Sequence, residues 1–284
     1  MPDPESGTLY LVATPIGNLQ DISARAIETL RGVDLIACED TRHTRKLLNH
    51  FGITTKAISY HEHNEAERAA DLIRLLAEGR SVAVVSDAGT PGISDPGFAI
   101  VSLAAEAAIA VIPIPGPVAF VNALIASGMP TDSFFFGGFL PSKKGERVKR
   151  LKELAAIPGT LVFYEAPHRI AASLADCADV LGARNAAVVR ELTKIHEETV
   201  RGTLFELKAR FSAAKTRGEL VIVIDKDNGR STAPVKQQSL IERLDELERS
   251  GVDRKTALKT AAKEYGLGKS EAYRLVEAEK KAGQ

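Results

Sequence analysis

The run Ser81-Val-Ala-Val-Val-Ser86 limits the fold more than any other stretch of this chain. Its apolar centre is short and β-branched, so it reads as a strand buried on both faces, as in a parallel sheet covered by helices. The loop that follows, Ser86-Asp-Ala-Gly-Thr-Pro-Gly-Ile-Ser-Asp-Pro-Gly97, holds three glycines and two prolines. The glycines let backbone approach a ligand closely, and the prolines remove N–H donors while leaving carbonyl acceptors. Asp87 and Asp95 add negative charge. A phosphate cradle needs the reverse: N–H groups, a helix N-terminus and usually a lysine. A cationic or zwitterionic ligand suits this loop better. An ordinary capped strand-to-helix connection would use the same residues.

Strand-like segments at Thr8–Ala13, Asp34–Cys38, Ile53–Tyr60, Ser81–Val85 and Ile109–Pro115 alternate with helix-like ones at Asp21–Arg31, Thr41–Phe51, Asn64–Glu78 and Val118–Ser127. The alternation predicts an α/β fold with a mostly parallel sheet. Ligands bind such sheets beyond the carboxyl ends of the strands. Three turns occupy those ends: Thr14–Asn18, Ser86–Gly97 and Pro115–Pro117. A second unit is expected from about Thr131, with a strand and bend at Phe134–Gly138. Further strands are expected at Thr160–Tyr164, Ala186–Arg190 and Leu220–Asp225, and a helix at Arg169–Leu181. The polar stretch 226–238 lacks periodicity and reads as a linker. After it, Leu240, Leu244 and Leu247 form one apolar face, and Ala257, Leu258, Ala261 and Ala262 another. With Gly266-Leu-Gly268 ahead of a segment at Ser270–Lys280, they predict a small helix-turn-helix-like module. The expected division is an α/β domain over 1–116, a second over 117–228, a linker over 229–238 and a C-terminal helical domain over 239–284.

Length and composition, 284 residues with 44% hydrophobic and 26% charged, fit a soluble protein of about two domains. Lys+Arg and Asp+Glu both number 37, so any nucleic-acid contact must come from local patches. Cys38 and Cys177 lack CxxC spacing and read as reduced core residues of a cytoplasmic protein. No zinc or iron–sulfur spacing is present, the acidic first residues do not resemble an export signal, and no apolar run approaches membrane-spanning length. The turn after the first strand carries only Gly17, not GxGxxG, and no Walker A sequence occurs. Both absences argue against nicotinamide and nucleoside-triphosphate chemistry.

Six motifs occur in order: Leu11-Val-Ala-Thr-Pro-Ile-Gly-Asn18, Cys38-Glu-Asp-Thr-Arg-His-Thr44, Ser59-Tyr-His-Glu-His-Asn64, Ser86–Gly97, Pro113-Ile-Pro-Gly-Pro-Val118 and Tyr164-Glu-Ala-Pro-His-Arg169. Together they resemble the ribosomal RNA small subunit methyltransferase I family over residues 8–284. The resemblance implies two α/β domains of tetrapyrrole-methylase type with the cofactor cleft between them, and S-adenosylmethionine as methyl donor with no metal. It implies 2′-O-methylation of a ribose, that of a cytidine in the decoding centre of 16S ribosomal RNA. The implied partner is the small ribosomal subunit, with a homodimeric enzyme and no membrane. Glycine-poor Thr14–Asn18, and Gly89-Thr90-Pro91 where tetrapyrrole enzymes carry Gly-Asp-Pro, depart from a porphyrinoid pattern. Matching positions implied to bind the cofactor are Pro15, Asp87, Ala88, Gly89, Thr90, Ile93, Val118, Ala119, Glu165, Ala166, Leu192 and Leu220.

Methylation of an alcohol aligns oxygen, methyl carbon and sulfur and benefits from a base. Glu39, Asp40, Arg42, His61, Glu62 and His63 supply polar groups at strand ends. Asp40 and His61 are the candidate catalytic residues and Arg42 a phosphate contact, although Asp40 equally reads as the cap of a helix starting at Thr41. The stretch 143–153, with six Lys/Arg against two Glu, offers Lys143, Lys144, Arg147 and Arg150 to an RNA backbone, or is a solvated helix face. A tetrapyrrole C-methyltransferase and a noncatalytic subunit-assembly factor are the alternative functions.

Overall fold

In the computed structural model, the described residues are 7–61, 64–213 and 216–226, with 244, 247–249, 253–264 and 272. They fall into two compact units, Met1–Asn228 and Gly229–Gln284.

The first unit opens with five parallel strands: β1 (Thr8–Val12), β2 (Leu35–Cys38), β3 (Ala57–Ser59), β4 (Val82–Val85) and β5 (Ala110–Ile114), in the order β3-β2-β4-β1-β5. The run that reads as doubly buried is β4. Val82 and Val84 pack with Leu72, Leu76, Ile100 and Ala104 on one face. Ala83 and Val85 pack with Ala26, Leu30, Leu48 and Ile114 on the other. Four helices cover the faces: α1 (Ala24–Gly32), α2 (Thr41–His50), α3 (Glu65–Ala77) and α4 (Phe98–Glu106). Each buried Val or Leu contributes roughly 1.5–3 kcal/mol relative to exposure. The strand expected over Ile53–Tyr60 shrinks to Ala57–Ser59 at the sheet edge. Helix α4 is apolar on all sides, which erases the 3.6-residue period and hides it from pattern reading.

A second five-stranded sheet follows, of β6 (Phe134–Phe139), β7 (Thr160–Glu165), β8 (Asn185–Arg190), β9 (Glu198–Thr203) and β10 (Leu220–Ile224), ordered β6-β7-β10-β8-β9. The parallel arrangement expected of the first sheet does not extend to this one: only β6 and β7 run parallel, while β10 is antiparallel to both β7 and β8. Strand β9 was not anticipated. It is a polar edge strand pairing with β8, and such edges lack an apolar signature. The register shifts between Phe136 and Phe139, at Gly137 and Gly138, where a bend was expected. A Cβ on Gly137 would lie 2.5 Å from the Phe163 ring. Helix α5 (Ala119–Ser127) covers one face through Ala123 and Leu124. Helices α6 (Lys144–Leu154), α7 (Ile170–Leu181) and α8 (Leu204–Ala213) cover the other.

In the second unit, α9 (Arg254–Glu264) buries Ala257, Leu258 and Ala261, and the Asp253 carboxylate accepts from the Thr256 amide at 3.1 Å. The linker 229–238, the Gly266–Gly268 turn and all of Ser270–Lys280 except Ala272 lie outside the described residues. None of the described helices is long and apolar enough to cross a membrane.

Candidate active site

The three turns singled out in the sequence meet at the carboxyl ends of the neighbouring strands β4, β1 and β5. Thr14 and Gly89 exchange backbone hydrogen bonds of 2.8 and 3.0 Å. The Thr14 hydroxyl donates to the Ser86 carbonyl at 3.1 Å, and the Thr90 hydroxyl to the Pro117 carbonyl at 3.2 Å. Gly89 adopts φ +90°, where a side chain would be strained whatever the space around it. Behind the loop, one Glu65 carboxylate oxygen accepts from the Tyr60 hydroxyl (3.0 Å) and from the amides of Gly97 (3.0 Å) and Ala99 (3.4 Å). The loop is therefore fixed at both ends.

Opposite it, the second sheet supplies the other wall. Because β10 runs antiparallel to β7 and β8, Leu220 is in register with Glu165 and Arg190, so the start of β10 lies beside the ends of its neighbours. The two walls enclose a cleft of about 380 Å³, within the usual range of ~300–1,000 Å³ for small-molecule sites. Ten of the expected cofactor residues line it: Ala88, Gly89, Thr90, Ile93, Val118, Ala119, Glu165, Ala166, Leu192 and Leu220. Pro15 and Asp87 instead face an adjoining hollow of about 190 Å³, with Leu19, His43, Thr44 and Lys46. Sequence reading did not assign Asp95, Phe139, Tyr164 or Glu219 to the cleft, yet all four line it.

Carboxylates dominate its electrostatics, and no Lys, Arg or His lines it among the described residues. Burial pushes the Asp95 carboxyl up to about 6, and the charges of Glu39 and Asp87 add to the effect. Glu39 is raised too, first by burial and then by Asp87. Tyr164 is raised by burial and by Asp95. Glu165 plays a different part. Its side chain is buried, held by the Ala166 amide (2.8 Å), the Ser173 hydroxyl and Arg169 (3.2 Å).

The proposed catalytic pair is not part of this lining. Asp40 caps α2, accepting from the Arg42 amide at 2.8 Å, and pairs with the Arg42 guanidinium at 2.9 Å. Those hydrogen bonds hold its carboxyl down at about 2, which makes it a poor base. Only its amide reaches the loop, donating to Asp87 at 3.2 Å. His61 turns toward Asn64, with Nε2 3.3 Å from the amide nitrogen. Glu62 and His63 lie outside the described residues.

A family model for Tetrapyrrole (Corrin/Porphyrin) Methylases matches residues 8–208. A protein of Halalkalibacterium halodurans named ribosomal RNA small subunit methyltransferase I is 48% identical over 279 residues, covering 97% of this chain and 96% of its own. One of the same name from Synechocystis is 48% identical over 95% of this chain and 97% of its own. The chain belongs to the ribosomal RNA small subunit methyltransferase I family. Solved structures share this fold. The methyltransferase CobJ superposes with a TM-score of 0.59 at 20% identity, covering 78% of this chain and 95% of that one. Uroporphyrin-III C-methyl transferase from Thermus thermophilus, complexed with S-adenyl homocysteine, gives 0.54 at 19%, covering 77% and 97%.

The basic stretch of this methyltransferase differs from its sequence reading. Arg147 is 4% exposed and pairs with the buried Asp176 at 2.6 Å, while also donating to the Pro141 (3.1 Å) and Ser142 (2.9 Å) carbonyls. It anchors α6 on α7 and is not free to meet a phosphate. Lys144 lies 3.8 Å from Asp176, Lys143 pairs with Glu146 and Arg150 with Glu153.

Proposed function

We propose that the protein transfers a methyl group from S-adenosylmethionine to the 2′-hydroxyl of a cytidine ribose in the decoding centre of the small ribosomal subunit. The observation that carries the reading is the cleft: apolar walls, backbone carbonyls and carboxylates, with no lining cation among the described residues. That donor set fits a ligand bearing a sulfonium and an ammonium, and Gly89 leaves open the space a Cβ would fill. Ala88, Gly89, Thr90, Val118, Ala119, Ala166 and Leu220 would hold the donor, several through backbone atoms. When bound, the sulfonium supplies the methyl group. We assign the proton of the attacking hydroxyl to Asp95, which lines the cleft and binds a proton more tightly than an ordinary carboxylate. A base whose proton affinity lies nearer to neutrality transfers a proton more effectively. Ile93, Phe139 and Val189 give the cleft its apolar walls. A homodimer belongs to the same reading, supported by exposed apolar Val121 and Ile125 on α5.

The test is methyl transfer from labelled S-adenosylmethionine to purified small subunits lacking the modification, followed by nucleoside digestion. Naked ribosomal RNA and a tetrapyrrole precursor run in parallel. 2′-O-methylcytidine from subunits is expected. Label confined to the tetrapyrrole, or absent throughout, overturns the reading.

A further inference from the structure

We propose that the outer face of α2 is a docking surface for the phosphodiester backbone of the RNA acceptor, a role resting on the function proposed above. The helix buries Thr44, Leu47 and Leu48 and turns Arg42, His43, Arg45, Lys46 and His50 outward. It contains no Asp or Glu. Of its three Lys/Arg side chains, Arg42 alone has a carboxylate within ion-pair distance among the described residues, that of its own cap, Asp40.

Folding gives no reason for this arrangement. Arg42 lies three and four residues from Arg45 and Lys46, spacings at which like charges repel by roughly 0.2–0.5 kcal/mol per pair. Cations in the first turns also oppose the helix dipole, which favours anions there. Two other cationic helices carry carboxylate partners. On α3, Arg68 and Arg74 share Asp71. Around α6, four of the six Lys/Arg of 143–153 have carboxylate partners. Lys149 and Lys152 there, like Arg45 and Lys46 on α2, have no carboxylate within ion-pair distance among the described residues, but α2 itself carries no acidic residue and lies beside the cleft.

Its position fits the chemistry. The Asp40 amide, at the start of α2, donates to Asp87, the residue before Ala88 at the cleft wall. His43 and Lys46 line the hollow beside the cleft, together with Pro15, Leu19 and Asp87. A strand whose ribose enters the cleft past Asp95 would carry its flanking phosphates over this hollow and along α2. The carboxylates inside repel the backbone, and the cations outside retain it.

The variant Arg45→Gln/Lys46→Gln tests this against Lys149→Gln/Lys152→Gln on α6. Each is titrated with unmodified small subunits across a salt series, and S-adenosylmethionine binding is measured by calorimetry to confirm an intact cleft. If both α2 cations meet phosphates, the slope of log K against log salt falls by about 1.4–1.8, affinity drops at least tenfold and the α6 variant stays near wild type. Unchanged affinity and slope in the α2 variant overturn the proposal. So does weakened affinity with an unchanged slope, which would mean contact with a protein of the particle. A wild-type enzyme that methylates subunits while the α2 variant matches it refutes this surface alone. Failure of the wild type to methylate any RNA refutes the function and the surface together.

Discussion

Replacing Asp95 by Asn should make the protein more stable and less active, and the two effects have one origin. The wild-type carboxyl binds its proton as though its pKa were about 6, against an ordinary 3.8, because burial and the neighbouring Glu39 and Asp87 oppose its charge. At about 1.4 kcal/mol per tenfold change in proton affinity, the ionised form costs at most ~3 kcal/mol of native stability. The side chain keeps part of its hydration, so about 1–2 kcal/mol is the expected cost. This group is protonated more readily in the folded chain than in the unfolded one. Its favourable contribution is complete below pH 3.8, declines as pH rises and is gone just above pH 6. Asn carries no charge, so the variant escapes that decline.

Thermal unfolding of both proteins from pH 4 to pH 8 tests the argument. Near pH 4 the melting temperatures should lie close together. Above pH 6.5 the variant should melt about 2–8 °C higher, at roughly 2–4 °C per kcal/mol for a unit of this size. On subunits, its turnover should fall about 100-fold or more if Asp95 receives the hydroxyl proton. Wild-type turnover should rise up to about pH 6 and then level. A melting difference independent of pH would refute the electrostatic reasoning. Wild-type turnover by Asp95→Asn would refute the assignment of the base even if the stability effect appeared.

Three further substitutions follow from the contacts. Arg147→Ala should destabilise by about 3–5 kcal/mol in denaturant titrations, since it strands the buried Asp176 carboxylate; a wild-type midpoint would contradict the buried pair. Gly89→Ala forces a side chain onto φ +90° beside Ile16, so it should cost ~1–3 kcal/mol and weaken S-adenosylmethionine binding measured by calorimetry. Glu65→Ala removes the acceptor shared by Tyr60, Gly97 and Ala99, at about 1.5–3 kcal/mol. Its KM for the methyl donor should rise more than its KM for subunits, whereas equal changes would mean that the loop does not depend on Glu65.

The legible parts of this protein were those in which a local pattern has one physical solution. Val82–Val85, amid alternating strand and helix segments, fits the centre of a helix-covered parallel sheet, and the turns after β1, β4 and β5 then converge. The second lobe was less legible because antiparallel pairing of β10 leaves no mark on β10 itself. Leu220–Ile224 is fully buried and reads like any parallel strand. Position in a motif also misled: Asp40 and Asp95 both sit in acidic turns, but folding gives one an arginine partner and buries the other, with two carboxylates nearby. Their proton affinities diverge accordingly, and no spacing rule contains that difference.

The same reasoning separates the two basic helices. By sequence, 143–153 is the more heavily charged segment, with six Lys/Arg, and α2 carries three. Counting cations nevertheless overstates the first, because Asp176 on α7, 29 residues from Arg147, neutralises charge that the segment alone seems to offer. Glu146 and Glu153 offset two more. A cation held by a carboxylate must lose that partner before it meets a phosphate, whereas Arg45 and Lys46 have no such partner among the described residues to give up. Recognition of a polyanion depends on charge that the fold has not already used; among the described residues each helix keeps two such cations, Arg45 and Lys46 on α2 and Lys149 and Lys152 on α6, and α2 is the stronger candidate because Lys46 lines the hollow beside the cleft.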